Sequence, residues 1–232
     1  MATSENSDIS SETEDYKIEI LPEDFPRYDL SCKIIFIGDP GVGKSCLTSK
    51  AVKNNFEEYY QATVGFEFLT FNIKLDDKII KIQIWDTCGQ EMYKSLISNF
   101  YRNSSLAVVT YAIDNRESFT HAESWLNELK SKANPDVRIF LVGNKADLEE
   151  DRKVSKEEGE KYKEDQHLDL FFETSAKTGY NAKNVLVEAA KILYKDYLKF
   201  EENIENEDKY KDKKRGEGLI KKDNKEKEEK CC

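Results

Sequence analysis

The feature that most constrains the fold is the loop Gly38-Asp39-Pro40-Gly41-Val42-Gly43-Lys44-Ser45, which lies between an apolar run at 32–37 and a predicted helix at 44–54. It fits the pattern Gly-x-x-x-x-Gly-Lys-Ser/Thr, in which glycines let successive backbone N–H groups turn inward around phosphate oxygens. The dipole of the following helix favours the same anionic ligand. We therefore predict a phosphate-binding loop, the alternative being an ordinary glycine-rich turn.

Three oxygen-bearing side chains are candidates for holding Mg²⁺ beside the phosphates. Lys44 supplies a positive charge to the β- and γ-phosphates, and Ser45 supplies a hydroxyl to the metal. Asp86 ends an apolar strand three residues before Gly89, and Thr63 lies in a loop between a helix and a hairpin. Carboxylate and hydroxyl oxygens suit Mg²⁺. Taken singly, Asp-x-x-Gly is a common turn and a loop threonine is usually solvated.

A second group of polar residues predicts recognition of a base. The string Asn144-Lys145-Ala146-Asp147 follows the apolar run at 139–143. An ionised Asp147 only accepts hydrogen bonds, so it matches the N1–H and exocyclic amine of guanine, whereas adenine offers no such pair of donors. We expect Phe56 to stack on the base. We expect the opposite side of the base to be contacted by backbone N–H groups of Ser175, Ala176 and Lys177. GTP or GDP is thus favoured over the ligands of a P-loop ATPase or nucleotide kinase, and a helix-capping loop is the structural alternative.

The order of predicted strands and helices indicates an α/β fold. Strands are predicted at 32–37, 66–75, 79–85, 106–111, 138–143 and 170–173, and helices at 44–54, 116–134, 155–166 and 184–200. This alternation predicts a P-loop NTPase fold: a mostly parallel six-stranded sheet with helices on both faces and one antiparallel hairpin strand. Because ligands bind at the carboxyl ends of parallel strands, the phosphate and base motifs are expected to meet at one edge of the sheet.

Charge and composition divide the 232 residues into three parts. Residues 1–30, with nine acidic and two basic side chains, predict a disordered acidic extension; residues 31–200 form the domain, and 201–232 a disordered charged tether. The net charge of −10 and the absence of a basic cluster argue against a nucleic-acid partner. Apolar runs are too short to span a membrane. The five cysteines lack the spacing of a disulfide framework, so reduced thiols are expected.

With these motifs in place, residues 32 to about 200 and the carboxyl terminus resemble the Ras-like small GTPases, specifically the Rab family. The resemblance also rests on Val64-Gly65-Phe66-Glu67-Phe68, Lys81-Ile82-Gln83-Ile84-Trp85, Tyr93-Lys94-Ser95-Leu96-Ile97 and Phe100-Tyr101-Arg102. The strings Tyr60-Gln61-Ala62-Thr63 and Thr178-Gly179-Tyr180-Asn181 are similar to the Golgi-trafficking branch.

The resemblance implies a GTP/GDP switch in vesicle traffic that hydrolyses GTP·Mg²⁺ slowly and orders loops 56–65 and 87–96 around the γ-phosphate. It assigns nucleotide contacts to Asp39, Pro40, Gly41, Val42, Gly43, Lys44, Ser45, Cys46, Tyr60, Thr63 and Gly89. It assigns catalysis to Gln90, Lys44, Thr63 and Gly89, with Gln90 orienting the attacking water. Loop 56–65 contains no arginine, so a partner must stabilise the charge of the transition state.

The resemblance also implies partners and a location. An aromatic triad that binds membrane effectors in the family is matched here by Phe68, Trp85 and Phe100. The alternative is that these three side chains are core residues. Cys231 and Cys232 resemble a double-geranylgeranylation signal, and two lipid chains hold a membrane firmly. The expected partners are an exchange factor, a GTPase-activating protein, a GDP-dissociation inhibitor, a Rab escort protein and a geranylgeranyl transferase. The expected location is the cytoplasmic face of a Golgi or endosomal membrane, cycling with the cytosol, as a monomer.

Two residues depart from the family pattern. Pro40 stands where Rabs often have serine and lacks a backbone N–H, and Cys88 replaces the usual alanine. Both are compatible with an alternative function, a non-hydrolysing effector-recruiting module that stays bound to GTP. His121 and His167 are expected on helix or loop surfaces, without a chemical role.

Overall fold

The computed structural model describes residues 16–56, 66–87 and 100–204, and within them the chain forms a seven-stranded sheet. The strands are β1 (Ile18–Leu21), β2 (Leu30–Ile37), β3 (Phe66–Leu75), β4 (Lys78–Thr87), β5 (Leu106–Ala112), β6 (Arg138–Asn144) and β7 (Leu170–Glu173). Their order across the sheet is β1-β3-β4-β2-β5-β6-β7. The fold is the predicted α/β architecture, with one more strand than predicted.

Four α-helices of ten or more residues accompany the strands of the described ranges: α1 (Lys44–Lys53), α2 (Arg116–Lys132), α3 (Lys156–Asp165) and α4, helical over 182–204. Asn115 caps α2 by accepting from the N–H groups of Glu117 and Ser118. Ser155 and Glu158 form a capping box at the start of α3. Within the described part of the chain, none of the helices combines the length and hydrophobicity needed to cross a bilayer.

Strand direction brings the predicted motifs to one edge of the sheet. β2 pairs in parallel with β4 and β5, and β5, β6 and β7 continue the parallel series. β3 is antiparallel to β4, its hairpin partner, and also to β1. The carboxyl ends of β2, β4, β6 and β7 therefore lie at the same edge, where the loop at 38–45, Asp86, and the segments 144–147 and 174–177 emerge.

The core has two layers because successive strand side chains point to opposite faces of the sheet. In β2, Ile34 and Phe36 belong to the layer under α1 and α4, whereas Ile35 and Ile37 belong to the layer under α2. Every residue of β5, which lies next to the central strand β2, is buried. A sheet covered on both faces holds its strand ends in fixed relative positions.

The strand β1 corrects two predictions. The sheet has seven strands, so the prediction of six is wrong, and residues 18–21 are not part of a disordered extension. Ile18 and Ile20 are about 40 % exposed, and β1 is held by its ladder with β3 and by Tyr16, whose ring packs edge-on against Tyr194. A four-residue strand without a buried apolar face gives little sequence signal, since its stability comes from tertiary pairing.

Candidate nucleotide-binding site

The loop after β2 adopts a conformation that depends on glycine. Gly38 has φ of 142°, and a Cβ there would lie 2.1 Å from the carbonyl oxygen of Thr110 on β5. Gly43 has φ of 92°, and a Cβ there would lie 2.5 Å from Nδ2 of Asn144. Side chains at these two positions would be strained and would also clash. The loop therefore packs directly against β5 and β6, with its backbone close to the sheet.

Lys44 stabilises the same loop from inside. Its side chain is buried, and its ammonium donates to the carbonyl oxygens of Gly38 and Asp39, both at 2.8 Å. The cation is thus held where a phosphate bound by this loop would approach it. This placement agrees with the phosphate-binding role predicted for Lys44.

Asp86 lies near the end of β4, opposite Phe36 in the ladder with β2. It is completely buried, and among the described residues neither carboxylate oxygen has a hydrogen-bond partner of normal geometry. Burial raises the pKa of Asp86 to about 6; the Ser45 hydroxyl and the Lys44 charge oppose this rise, and Glu67 adds to it. A buried carboxylate beside a serine hydroxyl is a donor set that suits Mg²⁺. Asp86 and Ser45 therefore fit the predicted metal site.

Asn144, the last residue of β6, links the two halves of the site. Its Nδ2 donates to the carbonyl oxygens of Val42 at 2.9 Å and Gly43 at 3.3 Å. Its Oδ1 accepts from the hydroxyl of Thr174 at 3.1 Å and from the N–H of Ala176 at 3.3 Å. The Asn144 side chain, which is buried, thus fixes the phosphate loop relative to the segment after β7.

A cavity of about 370 Å³ lies beside Asn144. Its lining includes Gly43, Cys46, Phe56, Asp147, Ala176 and Lys177. Asp147 accepts a hydrogen bond from the Ser175 hydroxyl at 2.5 Å, which orients the carboxylate. Lys145 has φ of 66° and its ammonium lies 3.4 Å from Asp114. The residues predicted to recognise the base therefore meet in one pocket, beside the phosphate loop.

The structure brings together most of the predicted site. The described members are Asp39, Pro40, Gly41, Val42, Gly43, Lys44, Ser45, Cys46, Phe56, Asp86, Asn144, Lys145, Asp147, Ser175, Ala176 and Lys177. Tyr60, Thr63, Cys88, Gly89, Gln90, Cys231 and Cys232 lie outside the described residues. The roles predicted for these seven residues stay predictions.

Two residues near the phosphate loop were not predicted from the sequence. His121 and Trp125, both on α2, contact the Asp39 carboxylate at 2.6 Å and 2.7 Å. His121 lies on the helix surface as expected, although no contact with the loop was expected for it. Their spacing of four residues puts them on one face of α2, but this spacing alone does not indicate a contact with residue 39.

The predicted aromatic triad forms a cluster with a fourth ring. Trp85 lies 5.5 Å from Phe68 and 5.0 Å from Phe100 between ring centroids, and Phe66 lies 4.9 Å from Phe100. Phe66 and Phe68 are 50 % and 46 % exposed, so this end of the cluster is surface and not core. The Lys33 ammonium lies 4.9 Å from the Trp85 ring. Phe66 was not predicted to belong to this cluster. Phe66 and Phe68 are two residues apart, and this spacing indicates only that they share one face of a strand.

The α/β sheet, the glycine loop and the pocket beside it define a P-loop nucleotide-binding protein. The sequence model of the Ras family matches residues 33–195 of the chain. The chain therefore belongs to the Ras family of small GTPases. Membership implies guanine-nucleotide binding and GTP hydrolysis, for which this family generally uses Mg²⁺.

Proposed function

We propose that this small GTPase is a Rab-like GTP/GDP switch that regulates vesicle-mediated membrane traffic. The main observation in support of a guanine nucleotide as the ligand is the pocket at Asn144 and Asp147, which adjoins the loop that contains Lys44. An oriented carboxylate next to a phosphate loop suits a guanine nucleotide. The Rab assignment rests on the segment resemblance and on the exposed aromatic cluster.

The proposed chemistry is divided among the residues of the site. Lys44 and the backbone N–H groups of the loop bind the phosphates, while Asp147 binds the base edge. Ser45 and Asp86, with Thr63, would hold Mg²⁺, which supplies charge neutralisation on the phosphate oxygens when bound. Gln90 orients the attacking water and the Gly89 N–H contacts the γ-phosphate. Since loop 56–65 has no arginine, hydrolysis is slow until a GTPase-activating protein supplies positive charge.

Single-turnover phosphate release from the GTP-loaded full chain tests this chemistry. The wild type should release phosphate slowly, and Gln90→Leu should release it more slowly still. Gln166→Leu is the matched control, because Gln166 follows α3 and precedes β7, at the opposite edge of the sheet from the pocket. Hydrolysis by Gln90→Leu at the intrinsic wild-type rate would contradict the role assigned to Gln90.

The aromatic cluster of Phe66, Phe68, Trp85 and Phe100 is the proposed effector surface. Phe66 and Phe68 are about half exposed and pack against Trp85 and Phe100, which gives an apolar patch of the kind that partner proteins bind. An exchange factor, a GDP-dissociation inhibitor and a Rab escort protein are the further partners of this proposal. The escort protein would present the chain to a geranylgeranyl transferase.

The proposed location is the cytoplasmic face of a Golgi or endosomal membrane, reached through lipids on Cys231 and Cys232. Fluorescence imaging of the full chain tests it. The wild type should mark an internal membrane, and the variant with both cysteines changed to serine should be diffuse. Each single Cys→Ser variant should show intermediate membrane binding, because one lipid chain anchors only marginally. Identical distributions of the wild type and the double variant would contradict the proposal.

Pro40 favours one second candidate, a module that binds GTP without hydrolysing it. Proline at this loop position removes a backbone donor and adds a ring close to where the γ-phosphate is expected. Phosphate release distinguishes the two functions. A complete lack of release over hours, even with a cell extract that contains activating proteins, would support the second function and exclude the first.

A further inference from the structure

The carboxylate of Asp39 is held by two side chains of α2. Trp125 Nε1 donates to Oδ1 at 2.7 Å, and His121 Nδ1 lies 2.6 Å from Oδ2. Because a carboxylate accepts hydrogen bonds, Nδ1 of His121 is the donor in this contact. Trp125 is buried, whereas the His121 side chain is 56 % exposed. One contact is therefore anchored in the core and the other lies at the surface.

The backbone of Asp39 is fixed as well. Its carbonyl oxygen accepts from the Lys44 ammonium, and the preceding Gly38 packs onto the carbonyl of Thr110. Residue 39 thus joins three parts of the fold: the start of α1 through Lys44, the strand β5 through its neighbour, and the helix α2 through its side chain. Constraints from three directions specify both the position and the orientation of this part of the loop.

The next two residues of the loop, Pro40 and Gly41, are less constrained by neighbouring groups. Pro40 has no N–H to donate, and a Cβ built on Gly41, at φ of 76°, would meet no atom of the described residues within 4 Å. The conformation of this open stretch is set by its two ends. Asn144 holds the far end through Val42 and Gly43, and the contacts of Asp39 hold the near end.

We propose that His121 and Trp125 are positioning residues that act through Asp39 to keep the phosphate loop in its binding conformation, and so slow the release of nucleotide. The inference rests on the proposed guanine-nucleotide binding of the same site. When the loop is already ordered in the free protein, binding does not include the free-energy cost of ordering it, and the bound state is favoured. Loosening its near end therefore raises the release rate, although neither His121 nor Trp125 is among the residues that line the described pocket.

Release of fluorescent GDP from the full chain tests the proposal. His121→Ala should accelerate release about two-fold to five-fold, as expected for an exposed pair. His121→Gln, which retains a donor, should restore a rate close to wild type. Trp125→Phe removes the N–H donor together with part of a buried ring, and should accelerate release by about ten-fold or more. The control is Asn127→Ala, an exposed residue of the same helix, which should release GDP at the wild-type rate.

A double-mutant cycle distinguishes an effect that depends on the contact with Asp39 from a general effect of the substitution on α2. If the contact carries the effect, adding His121→Ala to Asp39→Asn should change the release rate less than adding it to the wild type. Equal factors in both backgrounds, or a wild-type release rate for His121→Ala, would overturn the proposal.

Amide hydrogen exchange gives a readout that does not require nucleotide. In the nucleotide-free full chain, the N–H groups of residues 38, 39 and 41–43 should exchange faster in His121→Ala than in the wild type and in Asn127→Ala. Unchanged protection in His121→Ala would overturn the proposal even if GDP binds. If the wild type binds no guanine nucleotide, the proposed function fails, and this exchange experiment still decides whether α2 positions the loop.

Discussion

Asn144 Nδ2 donates to the carbonyl oxygen of Val42 at 2.9 Å, which joins the last residue of β6 to the middle of the phosphate loop. The oxygen of the same side chain accepts from Thr174 and Ala176. One amide therefore connects the phosphate loop with both segments that line the base pocket. The two halves of the site cannot shift independently while these bonds hold.

Replacing Asn144 with alanine should destabilise the chain and weaken nucleotide binding together. The substitution leaves buried groups at Val42 and Thr174 without their partner, which should lower the free energy of unfolding by about 2–3 kcal/mol. Urea denaturation of the ligand-free chain measures this change. Asn127→Ala, on the exposed face of α2, should stay within about 0.5 kcal/mol of wild type. Equal stability of the two variants would contradict the linking role.

Asp147→Asn should change which base is bound. The amide offers an N–H donor where the carboxylate only accepts, so affinity for GDP should fall by about 10²-fold to 10⁴-fold. Xanthosine diphosphate should bind the variant better than GDP does, because xanthine carries a carbonyl oxygen in place of the guanine amine. Competition against a fluorescent nucleotide measures both affinities. The control is Asp151→Asn, an exposed carboxylate just beyond the pocket, and an unchanged preference for GDP in Asp147→Asn would refute the assignment.

The ligand-free, metal-free chain should lose stability as the pH rises through the titration of Asp86. The folded state holds the pKa of Asp86 at about 6, above its ordinary value of 3.8, so the folded state binds more protons than the unfolded state in this window. The loss should approach roughly 3 kcal/mol, since one pKa unit corresponds to about 1.4 kcal/mol. It should begin near pH 4 and level off above about pH 6.

Urea denaturation of wild type and Asp86→Asn across this pH range isolates the contribution. The asparagine side chain cannot ionise, so Asp86→Asn should become increasingly more stable than the wild type as the pH rises. Asp136→Asn, which changes an exposed carboxylate, should instead follow the wild-type pH dependence. Parallel curves for Asp86→Asn and wild type would show that burial does not penalise the Asp86 charge.

Deleting residues 1–23 should destabilise the sheet through β3. The deletion removes the β1 ladder, the ring contact of Tyr16 with Tyr194, and the two carbonyl groups that accept from buried Asn72. The expected loss is about 1–3 kcal/mol. Deletion of residues 1–15 alone retains all these contacts and is the matched control. If both deletions unfold at the same urea concentration, β1 does not contribute to stability.

The sequence was sufficient to predict the α/β fold and most of the pocket because the strongest signals are local. The apolar runs before Gly38 and Asn144 end where the binding motifs begin, so strand ends and motif positions are predicted together. The strand β1 gave little such signal, since its partner β3 lies about fifty residues away in the chain. The contact of His121 with Asp39 spans 82 residues and depends on how α2 packs on the sheet, which no local pattern specifies.

The most direct test of the account is competition between GDP and ADP for the stripped full-length chain. Displacement of a fluorescent guanine nucleotide in the presence of Mg²⁺ gives both affinities in one titration. GDP should displace the probe at concentrations at least about 10³-fold lower than ADP, because adenine leaves the Asp147 carboxylate without donors. Equal displacement by GDP and ADP would contradict it.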